Sequence, residues 1–141
     1  DSALALAAAK DLDQETNADI VEVIGAIYAE TGDAQYLPYF TKNLENLDTY
    51  GAVGFYESYG DLLLQIKGDE LAAGVASMKR IGVDQGQSPW RRLSSIKTLS
   101  EIASELSEET DADLISEIQE AIDAIKAAET IPQLRGIYRQ F

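Results

Sequence analysis

Helix-start signals recur along this chain at the spacing of one helical hairpin, and that periodicity constrains the fold more than any other feature. Asp33-Ala34-Gln35-Tyr36-Leu37, Asp69-Glu70-Leu71 and Asp111-Ala112-Asp113-Leu114 each open an amphipathic run. Between them lie runs opened by other capping residues: Asn17-Ala18-Asp19-Ile20, Thr49-Tyr50-Gly51-Ala52 and Ser88-Pro89-Trp90-Arg91. Starts of one class fall roughly 35 to 40 residues apart, near the period of stacked helical-hairpin arrays. Two classes of helix therefore alternate, which reads as an α-solenoid. No apolar-polar alternation bounded by hairpin turns competes with this reading.

Caps and 3.6-residue stripes together place the helices. A first, at about residues 2–10, is alanine-rich around Leu4 and Ala8. The second starts at Asn17 and repeats Ile20, Val23, Ile24, Ile27 and Tyr28 before Gly32. The third opens at Asp33 with Leu37, Phe40, Leu44 and Leu47 on one stripe. The fourth, about 50–67, is apolar nearly all round, with Ala52, Phe55, Tyr59, Leu62 and Ile66 on one face and Val53, Tyr56 and Leu63 on another, as expected of an inner layer. A fifth, about 70–82, carries Leu71, Val75 and Met78. The sixth has Ser88 as N-cap and Pro89 at its first position, with Leu93, Ile96, Leu99, Ala103 and Leu106 as its stripe. The seventh repeats Leu114, Ile118, Ala121, Ile122 and Ile125, and a short eighth follows Pro132.

The expected fold is all-α, an α-α superhelix of about seven or eight helices in HEAT-like hairpins, forming a single repeat domain over residues 1–141. A closed helical bundle is the structural rival. Glycines 51, 54, 60, 74 and 82 suit helix ends and close helix approach. None belongs to a phosphate-binding loop, because no Gly-rich turn with Lys-Ser/Thr exists.

Composition narrows the function classes. The chain of 141 residues has no histidine and no cysteine, which removes the usual proton shuttle, the thiolate nucleophile and the soft zinc ligands. A net charge of −14 argues against a nucleic-acid partner. No apolar stretch approaches the roughly 20 residues of a membrane span. The opening residues, Asp1 to Lys10, have neither an initiator Met nor a basic leader region, and resemble the middle of a helix cut from a longer chain. A cytoplasmic or an exported parent is equally compatible with them. Residues 1–70 carry 14 acidic and 3 basic side chains, residues 71–141 carry 11 and 8. An anion-facing surface is thus expected only in the second half, around Lys79, Arg80, Arg91, Arg92 and Lys97, unless those five form a self-neutralised helix face.

Four constellations are candidates for chemistry or contact. Asp11, Asp13, Glu15, Asn17, Asp19 and Glu22 have the spacing of a calcium loop, but Thr16 stands where the sharp turn wants glycine, and Asn17 and Asp19 serve equally as cap and first-turn acid. Residues 28–59 hold eight of the eleven aromatic side chains, either as a helical interface or as a shallow peptide groove. At the end of that stretch Glu57 and Asp61 form an i, i+4 acidic pair, which in a sugar cleft could be two catalytic carboxylates and otherwise extends a solvated edge. Trp90, Arg91 and Arg92 are the candidate domain-contact residues: a Trp beside two Arg suits an acidic partner, unless the arginines pair locally with Glu101 or Asp84.

The run Ile27-Tyr28-Ala29-Glu30-Thr31-Gly32-Asp33-Ala34-Gln35-Tyr36-Leu37-Pro38-Tyr39-Phe40, with the later Ser88-Pro89-Trp90-Arg91-Arg92-Leu93, resembles the C-terminal HEAT-like helical domain of bacterial zinc aminopeptidases of the gluzincin, alanyl-aminopeptidase type. The resemblance implies a non-catalytic part of a metallopeptidase, packed on the catalytic domain of the same parent chain and helping to shape peptide access. In that family zinc is held by H-E-x-x-H and a more distant Glu, with a G-x-M-E-N-type substrate motif upstream. None of those motifs occurs here, so no catalytic or metal-binding residue and no cofactor is carried over. The alternative is a HEAT-type scaffold that binds another protein and has no link to an enzyme.

Overall fold

The computed structural model describes Leu44, Glu45 and residues 51–141. Among these residues the chain is all-helical and contains no strand. Five helices follow in order: α1 Gly51–Ile66, α2 Gly68–Val83, α3 Pro89–Glu105, α4 Ala112–Ala128 and α5 Pro132–Tyr138. None of them is long and apolar enough to cross a membrane. Apart from Leu44 and Glu45, the three helices expected before Gly51 lie outside the described residues, as do the Asp11–Glu22 loop and Tyr28 to Phe40.

Local chemistry accounts for most of the boundaries. Ser88 caps α3 as its sequence predicts: its Oγ accepts the Arg91 N–H at 3.2 Å, and Pro89 occupies the first turn, where no intrahelical donor is missed. Acids Asp69 and Glu70 in the first turn of α2 and Arg80 in its last turn oppose the ends of the helix dipole. The turn after α2 is an Asx turn, Asp84 Oδ1 accepting the Gly86 N–H at 2.9 Å. Two of the Asp-opened starts behave differently from the expected cap. Asp69 lies inside α2, whose N-cap position is Lys67. Asp111 precedes α4 but turns its carboxylate back to the Ser107 N–H and the Thr110 hydroxyl, so no side chain caps that helix.

One residue separates α1 from α2. Lys67 has φ 58° and ψ −153°, followed by Gly68 at φ 57°, and this pair of left-handed residues turns the chain sharply while the Lys67 N–H still bonds to the Leu63 carbonyl at 2.8 Å. Glycine takes such angles without strain, whereas lysine in this region stores some.

The helices stack in an alternating order. Successive helices touch across α1–α2, α2–α3 and α3–α4, and alternate helices touch as well: α1 with α3, α2 with α4, α3 with α5. The first and fourth do not form a substantial contact. α3 is the hub, meeting all four of its neighbours, although its sequence is the less apolar one and α1 is the expected inner helix. Its buried face contains Ser94, Ser95 and Thr98 beside Ile96, Leu99 and Ile102. Buried serines are tolerated there because their hydroxyls bond back to the preceding turn, Ser94 Oγ to the Trp90 carbonyl at 2.6 Å and Ser95 Oγ to the Arg91 carbonyl at 2.8 Å. Small side chains at these positions let the neighbouring helices come close.

Glycines complete the close approach. A Cβ on Gly60 would stand 2.7 Å from the Thr98 methyl, one on Gly82 2.5 Å from Ile125 Cδ1, and one on Gly74 would strike Leu63. The aromatic residues of α1 are core: Phe55, Tyr56 and Tyr59 are all buried, and Tyr56 donates its hydroxyl hydrogen to the Leu44 carbonyl at 2.7 Å. They do not line a surface groove.

Three substitutions test this packing by denaturant unfolding. Leu62 is buried on α1, and Leu62→Ala is expected to cost about 2–5 kcal/mol. Gly60→Ala is expected to destabilise in spite of the better helix propensity of alanine, because the stiff Thr98 side chain has to move. Gly136→Ala, with nothing within 4 Å of the new Cβ, is expected to stabilise by about 0.4–1 kcal/mol. Equal midpoints for Gly60→Ala and Gly136→Ala would contradict the α1–α3 contact. Separately, Lys67→Gly is expected to raise the midpoint by the equivalent of about 1 kcal/mol through relief of backbone strain, and an unchanged or lowered midpoint would show that the turn is not strained.

Candidate functional site

Successive residues of a helix point about 100° apart, and the Trp90-Arg91-Arg92 triplet is divided accordingly. Trp90 is partly exposed. Arg91 is half-buried and its Nη1 donates to Gln87 Oε1 at 2.9 Å. Arg92 points inward with only 4% of its side chain exposed, so it offers no surface to a partner domain. Its partner is neither Asp84 nor Glu101 but Glu129, 37 residues further on. Arg92 Nε donates to Glu129 Oε1 at 2.9 Å and Nη2 to Oε2 at 3.0 Å, a bidentate pair, while Nη1 donates to the Gln87 carbonyl.

Glu129 has a fully buried side chain and its carboxylate is saturated with donors. Besides Arg92 it accepts the N–H groups of Thr130 and Ile131, both at 3.0 Å, and the Tyr138 hydroxyl at 3.3 Å. Burial acts to raise its pKa, but the Arg92 guanidinium and the two backbone N–H groups outweigh burial and hold the carboxyl below the usual range. Burial and the neighbouring Glu129 charge push the Tyr138 hydroxyl up. The sequence contains no local signal for this pair, since Glu129 sits in a linker beyond the last α4 turn.

Two more basic residues of the expected cluster, Arg80 and Lys97, are also paired. Arg80 Nη1 meets Glu45 Oε1 at 2.7 Å and Gln87 Nε2 donates to the same oxygen at 3.0 Å. The Arg80 hydrogen bond lowers the Glu45 pKa. Lys97 Nζ lies 2.7 Å from Glu101 Oε1 and 3.7 Å from Glu57 Oε2, joining α1 to α3.

That lysine sits at one edge of an acidic groove. The crossing of α1 over α3 leaves an open depression of about 440 Å³ lined by Glu57, Asp61, Glu101 and Glu105, with Gly60, Leu64, Thr98 and Ile102 along its floor. The i, i+4 pair Glu57 and Asp61 thus shares one groove with a second such pair, Glu101 and Glu105, which sequence reading missed. The signal was present as spacing, but nothing in the sequence says that two acidic edges on different helices coincide. Four carboxylates face one lysine. Burial, and then Glu57, Glu101 and Glu105, push the Asp61 carboxyl up. Thr98, only 2% exposed, has no hydrogen bond from its hydroxyl to any described residue, an unspent polar group on the groove floor. The groove runs along about two turns of each helix, on the order of 11 Å, a length suited to an extended segment with more than one positive charge. Among the described residues no three acidic side chains are gathered into a metal-ligand set.

The Glu129 geometry makes a prediction with a definite sign. Its native pKa is depressed, so the pair stabilises fully above the ordinary glutamate value of 4.5 and the contribution is lost as pH falls through the native value. Glu129→Gln leaves Arg92 buried without a counter-charge and is expected to cost about 3–5 kcal/mol at pH 7. The gap in thermal stability between wild type and Glu129→Gln should narrow as pH falls from about 6 towards 3, because the protonated carboxyl then resembles the amide. A gap independent of pH would refute the ion pair. No family model, no curated protein and no solved structure matches this chain, so its functional reading rests on these residues.

Proposed function

We propose that this chain is a non-catalytic helical docking domain, an α-α superhelix of HEAT-like hairpins in which the acidic α1–α3 groove receives a basic segment of a protein partner. In the specific form implied by the resemblance at Ile27–Phe40 and Ser88–Leu93, that partner is the catalytic domain of a zinc aminopeptidase parent, and the helices help to shape peptide access. Zinc then belongs to the catalytic domain.

The superhelical reading is supported by the order of helix contacts. A closed four-helix bundle makes its first and fourth helices neighbours, whereas in stacked hairpins each helix meets the next and the next but one. α1, α2, α3 and α4 follow the second pattern. With the three helices expected upstream, the count reaches eight.

The docking role is carried by one observation: two acidic helix edges face each other with a single lysine between them. Mutual repulsion raises the cost of holding these charges together, and a bound guanidinium or ammonium group relieves it. Lys97 occupies one end of the groove in the manner such a group would adopt. Trp90 offers a separate partly exposed anchor at the start of α3. A scaffold that binds an unrelated protein by the same groove is the second reading, and the same charge pattern favours it equally.

The parent reading frame distinguishes the two. Several hundred upstream residues containing H-E-x-x-H are expected for the accessory domain, whereas further helical repeats without that motif would leave the scaffold reading. Hydrogen exchange then locates the contact: on adding the rest of the parent chain, amides of residues 57–64 and 98–105 should gain protection, and Asp61→Asn combined with Glu105→Gln should weaken the association at least tenfold. Unchanged exchange along both helix edges would overturn the groove as the docking site.

A further inference from the structure

Four of the nine described cations have side-chain partners. Arg80 is held by Glu45, Arg92 by Glu129, Lys97 by Glu57 and Glu101, and Arg91 by Gln87 among others. Of the five that have no ion pair or hydrogen bond from their side chains to any described residue, Lys67 and Lys79 stand apart and the other three converge on one place. Lys126 from the last turn of α4, Arg135 of α5 and Arg139 just beyond it line a depression of about 510 Å³ with Pro132 and Tyr138. In a chain of net charge −14, carboxylates to neutralise these groups are plentiful, yet none of the described ones lines the depression. Glu129, in the linker between α4 and α5, is turned inward and engaged by Arg92.

We propose that this depression is an anion site for a phosphate monoester or inorganic phosphate. Arg135 and Arg139 are four residues apart, which puts two guanidinium groups on one face of the helical turn, and Lys126 closes the group from α4. Like charges so placed repel, although Lys126 in the last turn of α4 and Arg135 in the last turn of α5 each meet the negative end of their own helix dipole. Two guanidinium forks and an ammonium match the charge and the multiple oxygens of a phosphate dianion better than those of a single carboxylate. The rest of the molecule selects the size of the ligand. Its acidic surface repels a long polyanion or an anionic membrane, whereas a small dianion within the depression is screened from the distant carboxylates over the roughly 8 Å Debye length of physiological salt. Tyr138, whose hydroxyl is fixed on Glu129, supplies a rigid wall.

The test is a titration of the full chain with inorganic phosphate and separately with glycerol 3-phosphate, at constant ionic strength, followed by the arginine Nε–H and backbone amide resonances of residues 126–139. Saturable shifts confined to this region, reduced at least tenfold in affinity by Arg135→Gln combined with Arg139→Gln, are expected. Binding of glycerol 3-phosphate tighter than that of phosphate assigns an organic ester as the ligand, and equal affinity assigns the free ion. Both arginines are exposed, so an unchanged circular dichroism spectrum shows that the variant remains folded, and Lys126→Gln alone should give a smaller loss. Shifts that do not saturate, that chloride reproduces, or that survive in the double variant would overturn the site, as would tighter binding to vesicles containing anionic lipid than to either small phosphate.

Discussion

The ion pair between Arg92 and Glu129 is the point on which the second half of the fold depends. Helix α5 is seven residues long, too short to be stable by itself in water, and the linker before it exposes backbone donors that need acceptors. Glu129 accepts the N–H groups of Thr130 and Ile131 and the hydroxyl of Tyr138 on α5, so one carboxylate fixes both the turn and the helix after it. Arg92 supplies the counter-charge from the centre of the stack and also bonds to the Gln87 carbonyl in the loop before α3. A hydrophobic pair of similar volume could fill the same space. It could not satisfy the donors of the linker.

The same helix organises the groove by a different means. α3 is central because its buried positions are small or doubly used: serines that bond to their own helix, a threonine methyl set against Gly60, and an arginine whose charge is consumed internally. Close approach of α1 to α3 is a packing result, favoured by the absence of a Cβ at residue 60. The juxtaposition of two acidic edges follows from it. Groove chemistry and core packing are therefore linked, and a bulkier side chain at residue 60 would alter both.

What could be read from the sequence was local. Ser88-Pro89 announced the start of α3 because a cap and an N-terminal proline act within one turn, and the stripes of α1, α2 and α4 were visible because apolar residues at 3.6-residue spacing need no knowledge of their partners. The close-approach role of glycines 60, 74 and 82 was legible for the same reason. Non-local features were not. Glu129 looks like one more surface acid until Arg92 is placed beside it, and Glu101 and Glu105 gain meaning only when α1 crosses α3. Asp111 shows the limit even of cap rules: a nearby serine and threonine offered its carboxylate other donors, and the local competition that makes Asp a good cap also drew it away.

Charge illustrates the distinction most clearly. Density along the sequence directs attention to Lys79, Arg80, Arg91, Arg92 and Lys97 as the anion-facing surface, yet three of those five are committed to carboxylates of the same molecule. A cation with a carboxylate beside it presents little net charge to a ligand, whereas one that folding leaves unpaired keeps its charge available at short range, within the screening of salt. The cations of the last two helices are sparse in sequence and have no ion pair among the described residues, whereas Glu129 is buried and paired. Net charge describes the long-range field that excludes polyanions. At the distance of a bound ligand the protein is instead divided into an acidic groove between α1 and α3 and a basic depression at the end of α4, and it is pairing, set by the fold, that decides which side chains belong to each.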